Sequence, residues 1–280
     1  MKTIRLNSGN KIAEVGLGCY DIPNSMTKQI VFQACQTGYR HFDTAVLYGN
    51  EHEVGQGIYQ WLESSKDHKR SDVWYTTKLW NSQCGYKQAK AGIKLCLEKV
   101  ADLQYIDMLL IHSPLCGPED RLNTWKACQE AVDEGIVKNI GVSNYGKHHI
   151  EQLLLWEGLK YPPAVNQIEI SPWCMRQELA QWCLQQNIHV EAYAPLTHGY
   201  RLSHPPTDFI PILEKYNIDM AQLLIKWSLQ KGYIPLPKTK TPSRLKTNIA
   251  LNFELTDEEI STVDQPDAYD PTDWECTDAP

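Results

Sequence analysis

Eight short apolar segments with strand character, separated by amphipathic stretches bounded by helix start and stop signals, alternate along the 280 residues of this chain. Parallel strands need crossover helices, so this alternation leaves two architectures. The sheet closes into a (β/α)8 TIM barrel, or it stays open and doubly wound. The strand segments lie near Val15–Leu17, Arg40–Phe42, Val73–Lys78, Tyr105–His112, Lys138–Val142, Val165–Ile168, His189–Tyr193 and Tyr233–Leu236. Between them fall helical patterns such as the one running from Pro118-Glu-Asp through Trp125, Cys128 and Val132 to Gly135. Pro235 and Pro237 mark the end of the last strand, because proline cannot donate to a sheet ladder. Ahead of the first unit, Thr3–Ile12 reads as two short strands around an Asn-Ser-Gly-Asn turn.

No linker, repeat or low-complexity stretch divides the chain. The expectation is one barrel domain over 1–280, with an N-terminal hairpin at 1–12 and a C-terminal tail at 266–280. An open sheet that binds a dinucleotide should carry Gly-x-Gly-x-x-Gly between an early strand and its helix. Gly16-Leu-Gly18-Cys-Tyr-Asp21 and Gly55-Gln-Gly57-Ile-Tyr-Gln60 both fail at the third glycine, which favours the closed barrel.

Charge and composition narrow the function. Lys plus Arg total 27 against 34 Asp plus Glu, a formal charge of -7, and no basic stripe of the kind that nucleic acid requires is visible. The longest aliphatic runs, such as Met108–Ile111, are too short to cross a bilayer, and the first residues lack the apolar stretch of a signal peptide. A soluble, cytoplasmic protein with no nucleic-acid or membrane partner is expected. The nine cysteines are an odd number, widely scattered, with no Cys-x-x-Cys, and are read as reduced thiols. No metal-ligand spacing occurs, and the adjacent His148 and His149 are read as surface or capping residues.

In a parallel barrel the active site forms at the C-terminal ends of the strands. Asp43 and Tyr48 fall in the loop after the second strand segment, Lys78 closes the third and His112 the fourth. Singly, each admits a structural role: a loop cap, a rim aromatic, a solvent-seeking lysine, a hydrogen-bonded strand end. Together they form a proton-delivery set. A phenol with a pKa of about 10 is protonated near neutrality but a sluggish donor. An ammonium about 4 Å away would lower that pKa, and Asp43 is the counter-ion that keeps a buried Lys78 charged. His112 would orient the substrate oxygen.

Asp43-Thr-Ala-Val-Leu-Tyr48-Gly-Asn-Glu51, Thr77-Lys78-Leu-Trp80, Leu110-Ile-His112-Ser-Pro, Gly141-Val-Ser-Asn144, Asn166-Gln167-Ile-Glu and Leu236-Pro-Lys238-Thr resemble the aldo-keto reductase superfamily, and the resemblance runs from the first strand to the last helix. It is nearest to short fungal members described as xylose and arabinose reductases. The resemblance implies NADPH bound across the strand ends, with Tyr48 as general acid in an Asp43, Tyr48, Lys78, His112 tetrad. It places the nicotinamide carboxamide against Ser143, Asn144 and Gln167, with Tyr193 as the stacking platform and Pro195 and Leu196 beside it. Lys238, Thr239, Arg244 and Asn248 would hold the adenosine end and its 2′-phosphate, helped by the charge of Lys240.

Where relatives often carry a glutamate for the adenine amine, this chain has Thr247. The stretch after Leu196 is shorter than the loop that clamps the cofactor in longer relatives, and faster cofactor exchange is expected. Tyr20, Trp80, Ser113 and Trp274 are the expected substrate-pocket residues, with Ser113 supplying room and a hydroxyl near a small-molecule carbonyl substrate. That pocket suits aldehydes, ketones and open-chain aldoses. Family habit implies a monomer. The rival readings are a regulatory protein that holds NADPH with little turnover, and a barrel hydrolase or isomerase that uses no nucleotide.

Overall fold

The computed structural model describes residues 2–280. The first two strands, β1 (Thr3–Arg5) and β2 (Lys11–Ala13), pair antiparallel as the hairpin. Eight further strands follow: β3 (Leu17–Gly18), β4 (His41–Asp43), β5 (Trp74–Leu79), β6 (Ile106–Ile111), β7 (Val137–Ser143), β8 (Val165–Glu169), β9 (His189–Tyr193) and β10 (Ile234–Pro235). Each pairs in parallel with its neighbour in chain order. The ring closes where Gly16 and Gly18 donate to the carbonyls of Pro235 and Pro237. The two prolines therefore do not end the pairing; they accept hydrogen bonds at the seam, and Gly18 bridges Lys238. Glycine is needed there: a Cβ on Gly16 would lie 2.6 Å from both His41 and Leu236.

Among the described residues ten helices clothe the barrel: α1 (Asn24–Thr37), α2 (Glu51–Glu63), α3 (Tyr86–Lys99), α4 (Pro118–Asp133), α5 (Lys147–Leu154), α6 (Gln177–Gln185), α7 (Ile210–Tyr216), α8 (Met220–Gln230), α9 (Pro242–Thr247) and α10 (Asp257–Val263). The failed fingerprint at Gly55 and Gly57 lies inside α2. A side chain on Gly57 would meet the Lys28 carbonyl at 2.7 Å, so this glycine serves the close packing of α2 on α1.

Two cores result. The larger fills the space between helices and strands; the smaller, with Leu6, Ile12, Trp74, Met108, Leu110 and Ile234, plugs the barrel floor under the hairpin. Alternate residues of each strand point inward. On β5 the inward row is Trp74, Thr76, Lys78; the same alternation aims His41 and Asp43 of β4, Gln167 of β8 and Glu191 of β9 into the barrel. The expected strand ends shift by one or two residues, and one shift matters: Asp43 is the last residue of β4, held rigidly, rather than a loop residue.

The reading of nine reduced thiols is corrected. The loops after β5 and β6 bring Cys84 and Cys116 to a Cα separation of 6.0 Å and the pair is disulfide-bonded, while the other seven are buried thiols. Sequence spacing could not show this, because strand adjacency in the barrel makes the two loops neighbours. Of the paired histidines, His149 is a cap, its Nδ1 accepting from the Gly146 amide at 3.0 Å. Among the described residues no helix is long and apolar enough to cross a membrane.

Candidate active site

The four residues of the proton-delivery set converge at the barrel mouth. Lys78 Nζ donates to Asp43 Oδ1 at 2.6 Å and to the Thr44 carbonyl at 2.9 Å, and lies 3.3 Å from the Tyr48 hydroxyl. Tyr48 sits in a one-turn helix, Val46–Tyr48, stopped by Gly49 in a left-handed conformation at φ 68°. The His112 ring stands edge-on to Tyr48 with centroids 5.7 Å apart, and Trp80 meets His112 at 5.1 Å.

One electrostatic expectation is corrected. Lys78 does not acidify Tyr48; burial, and then the charges of Asp43 and Asp273, push the phenol well above 10. The reason is geometric, since an ammonium closed into an ion pair with Asp43 presents little net charge to a third group. Tyr48 is thereby held protonated, as a donor must be. His112 is held well below the usual imidazole range, first by burial and then by Lys78, and is neutral.

Beneath the set lies a polar layer that composition and motif gave no sign of. Gln167 Nε2 donates to Asp43 Oδ2 at 2.9 Å and to Glu191 Oε2 at 2.8 Å. Glu191 faces His41 at 3.7 Å, but this contact is not an ion pair. Burial and Asp43 push Glu191 up to about 8, and burial and Lys78 push His41 down to about 3, so near neutrality both are uncharged.

Because the folded state holds the Glu191 proton more tightly than the unfolded chain does, the contribution of Glu191 to stability is full below about pH 4.5 and is lost as pH rises toward about 8. Glu191→Gln, which cannot ionise, should remove about 3–4 kcal/mol of that loss between roughly pH 5 and pH 8. Urea unfolding of both proteins at the two pH values checks this, and parallel pH dependences would contradict it.

The set opens onto a cavity of about 830 Å³, within the range of small-ligand sites. Every residue expected for chemistry, cofactor or substrate lines it except Lys78 and Ser113. Lys78 stands behind Asp43 and Tyr48. Ser113 is a correction: it is fully buried and donates to Asn81 Oδ1 at 2.6 Å. Following the inward-facing His112, it points the other way, toward the loop after β5.

At one end of the cavity, Tyr193 donates to Asn144 Oδ1 at 2.9 Å, Asn144 Nδ2 to the His112 carbonyl at 3.0 Å, and Ser143 Oγ to the Gln167 carbonyl at 2.9 Å. Trp274 closes the wall against Trp80, centroids 5.6 Å apart. At the other end lie Thr239, Arg244, Asn248, Pro195, Leu196 and Lys238, whose Nζ reaches Asp21 Oδ2 at 3.0 Å across the opening.

Residues missed from sequence are Asp21, Tyr200, Asp219, Met220, His198 and Asp273. Asp219 caps α8 in a capping box, with Gln222 N donating to Asp219 Oδ1 at 2.8 Å, and this helix start lies at the cavity. The short stretch after Leu196 still reaches the cavity, through His198, Gly199, Tyr200 and Leu202.

Fold and site together define a class: a closed parallel barrel with a phenol, an ammonium–carboxylate pair and a neutral imidazole gathered at its mouth beside a long cavity. Residues 14–268 match the model of the Aldo/keto reductase family, and the chain belongs to that family. A Saccharomyces cerevisiae protein described as an uncharacterized oxidoreductase is 60% identical over 281 residues, spanning 100% of this chain and 99% of that one. The aldo-keto reductase family 1 member A1-A of Danio rerio is 34% identical, over 94% of this chain and 88% of its own. The crystal structure of a Bombyx mori aldo-keto reductase in complex with NADP superposes with a TM-score of 0.85 at 32% identity, covering 94% of this chain and 91% of that one. The protein is thus an oxidoreductase of this family.

Proposed function

We propose that this protein reduces aldehydes and ketones, open-chain aldoses such as xylose and arabinose among them, to alcohols, using NADPH and taking the proton from Tyr48. The observation that carries this reading is the polarity of the cavity. One end holds the Tyr48 hydroxyl 3.3 Å from an ion-paired ammonium, and the other holds Lys238, Lys240 and Arg244. NADP bound by the structurally similar Bombyx mori reductase supports the same cofactor here.

The residues fit such a group. Both hydrogens of the Gln167 amide are engaged, on Asp43 and Glu191, so the amide is fixed and Oε1 is the atom left to accept from a carboxamide. Ser143 and Asn144 border the same position, and Tyr193 offers a flat face. Lys238, Thr239, Arg244 and Asn248 would hold the 2′-phosphate. The contact between Lys238 and Asp21 is solvent-exposed and cheap to exchange for a phosphate.

NADPH supplies the hydride when bound. The protein's part is to place the carbonyl oxygen between Tyr48 and His112, to shield it with Tyr20, Trp80 and Trp274, and to release the Tyr48 proton as negative charge develops on that oxygen. Neutral His112 can donate to the oxygen without competing for the proton, and the Lys78 ammonium, 3.3 Å away, can donate a hydrogen bond to the phenolate left behind.

Steady-state assays with aldehydes and aldoses, following cofactor absorbance, test the proposal. Carbonyl-dependent NADPH oxidation is expected, with kcat/KM for NADPH at least about tenfold above NADH, a difference that one lost charge-assisted contact supplies. Equal use of both cofactors would refute the assignment of the phosphate to Lys238 and Arg244.

A further inference from the structure

The tail over 266–280 carries five carboxylates, Asp267, Asp270, Asp273, Glu275 and Asp278, and no lysine or arginine. Their partners differ. Glu275 is taken by Arg176 at 2.5 Å and Asp270 by Arg201, on the outer side of the tail. Asp273 instead lines the cavity beside Trp274, and its side-chain partner is His198, whose Nε2 lies 3.1 Å from Oδ2.

The position of Asp273 is built. Glu169, buried at the end of β8, accepts from the backbone amide and hydroxyl of Thr272 at 2.6 and 2.7 Å through Oε1, and from the Asp273 amide at 3.0 Å through Oε2. The tail is pinned by these bonds so that its next carboxylate faces the chamber formed by Tyr20, Tyr48, Trp80, His112 and Trp274. Asp273, with Glu169 behind it, faces the single imidazole of His198, so with His198 neutral this end of the cavity is negative. Asp273 also acts on the reacting group, since its charge helps push Tyr48 upward. The opposite end, with Lys238, Lys240 and Arg244, is positive.

We infer that Asp273 is a specificity-determining residue: its carboxylate disfavours carbonyl substrates that carry a carboxylate or phosphate and favours neutral, hydroxyl-bearing ones, whose hydroxyls it can accept. This rests on the carbonyl-reductase reading above and narrows its substrate class. An acidic wall repels an anion over several ångströms, and it accepts a hydroxyl proton more strongly than a neutral acceptor does.

The test compares substrates that differ chiefly in charge: 4-carbamoylbenzaldehyde against 4-carboxybenzaldehyde, and glucose against glucuronate, with wild type, Asp273→Asn and Asp273→Lys. Wild type should prefer the neutral member of each pair by about tenfold or more in kcat/KM. Asp273→Asn should cut that preference by about tenfold, and Asp273→Lys should reverse it, with the NADPH Kd of each variant within about twofold of wild type. A loosened tail would depress both members of a pair alike, so the ratio isolates the charge. High salt should shrink the wild-type preference. Turnover of both members at equal efficiency by wild type, or an unchanged ratio in Asp273→Asn, would overturn the inference while leaving the reductase reading intact. No turnover of any of the four would overturn both.

Discussion

Replacing Tyr48 with phenylalanine should leave a folded protein that binds NADPH with nearly unchanged Kd and reduces aldehydes about 10²–10⁴-fold more slowly. The size follows from what the hydroxyl does and does not touch. Within the protein it accepts one long hydrogen bond, from Lys78 at 3.3 Å, so its loss removes little stability. In the proposed reaction it would be the group that faces the carbonyl oxygen, and burial and two carboxylates hold it protonated. His112 cannot take over, being neutral and held far below its usual range. Single-turnover measurement of NADPH oxidation separates chemistry from binding. A chemical step at the wild-type rate in Tyr48→Phe would mean that the proton comes from elsewhere.

Lys78→Met should be the most damaging single change for stability. Lys78 is fully buried, and its ammonium is the charge that compensates Asp43, itself on the inner face of β4. Removing it strands a carboxylate in the barrel, at a cost of about 3–5 kcal/mol. The double variant Asp43→Asn with Lys78→Met removes both charges and should recover much of that loss, because a neutral amide can still accept from Gln167. Activity should not return in the double variant, since nothing then stabilises the phenolate that Tyr48 leaves behind. Urea unfolding and single-turnover kinetics on the two singles and the double form the cycle. If the double variant were no more stable than Lys78→Met, the compensation argument would fail.

How far the sequence reached depended on the range of the interaction. The barrel was legible because eight alternations of two periods are a local pattern, and because parallel pairing constrains the order in which such units can assemble. The convergence of these groups was legible for a related reason: in a parallel barrel the strand ends lie at the mouth, so Lys78 and His112 could be placed as residues closing their strands, whereas Asp43 was read as a loop residue and proves to belong to β4. Ser113 shows the limit of that placement. It was read by its neighbourhood to His112, whereas the period of two sends adjacent residues to opposite faces, and its hydroxyl is spent on Asn81.

Other features had no local signature at all. Glu191 sits in an ordinary apolar strand, and only the ring closure that sets it beside Gln167 and across from His41 makes it a buried, proton-holding acid. Cys84 and Cys116 are 32 residues apart and meet because the loops of consecutive strands are neighbours. The effect of Lys78 on Tyr48 was argued from the ammonium's charge, with Asp43 taken only as its counter-ion; burial, and then the charges of Asp43 and Asp273, act the other way and raise the phenol. Asp273 was one acid among five in a tail, and its place over the cavity comes from Glu169, 104 residues away.

What this sequence determined alone was the periodicity of its elements and the identity of the reactive groups at their ends, because both are written in residues close along the chain. What tertiary structure decided was which of those groups are charged, which are paired and which face the substrate. Those properties depend on burial and on distances between strands and tail that no single segment contains.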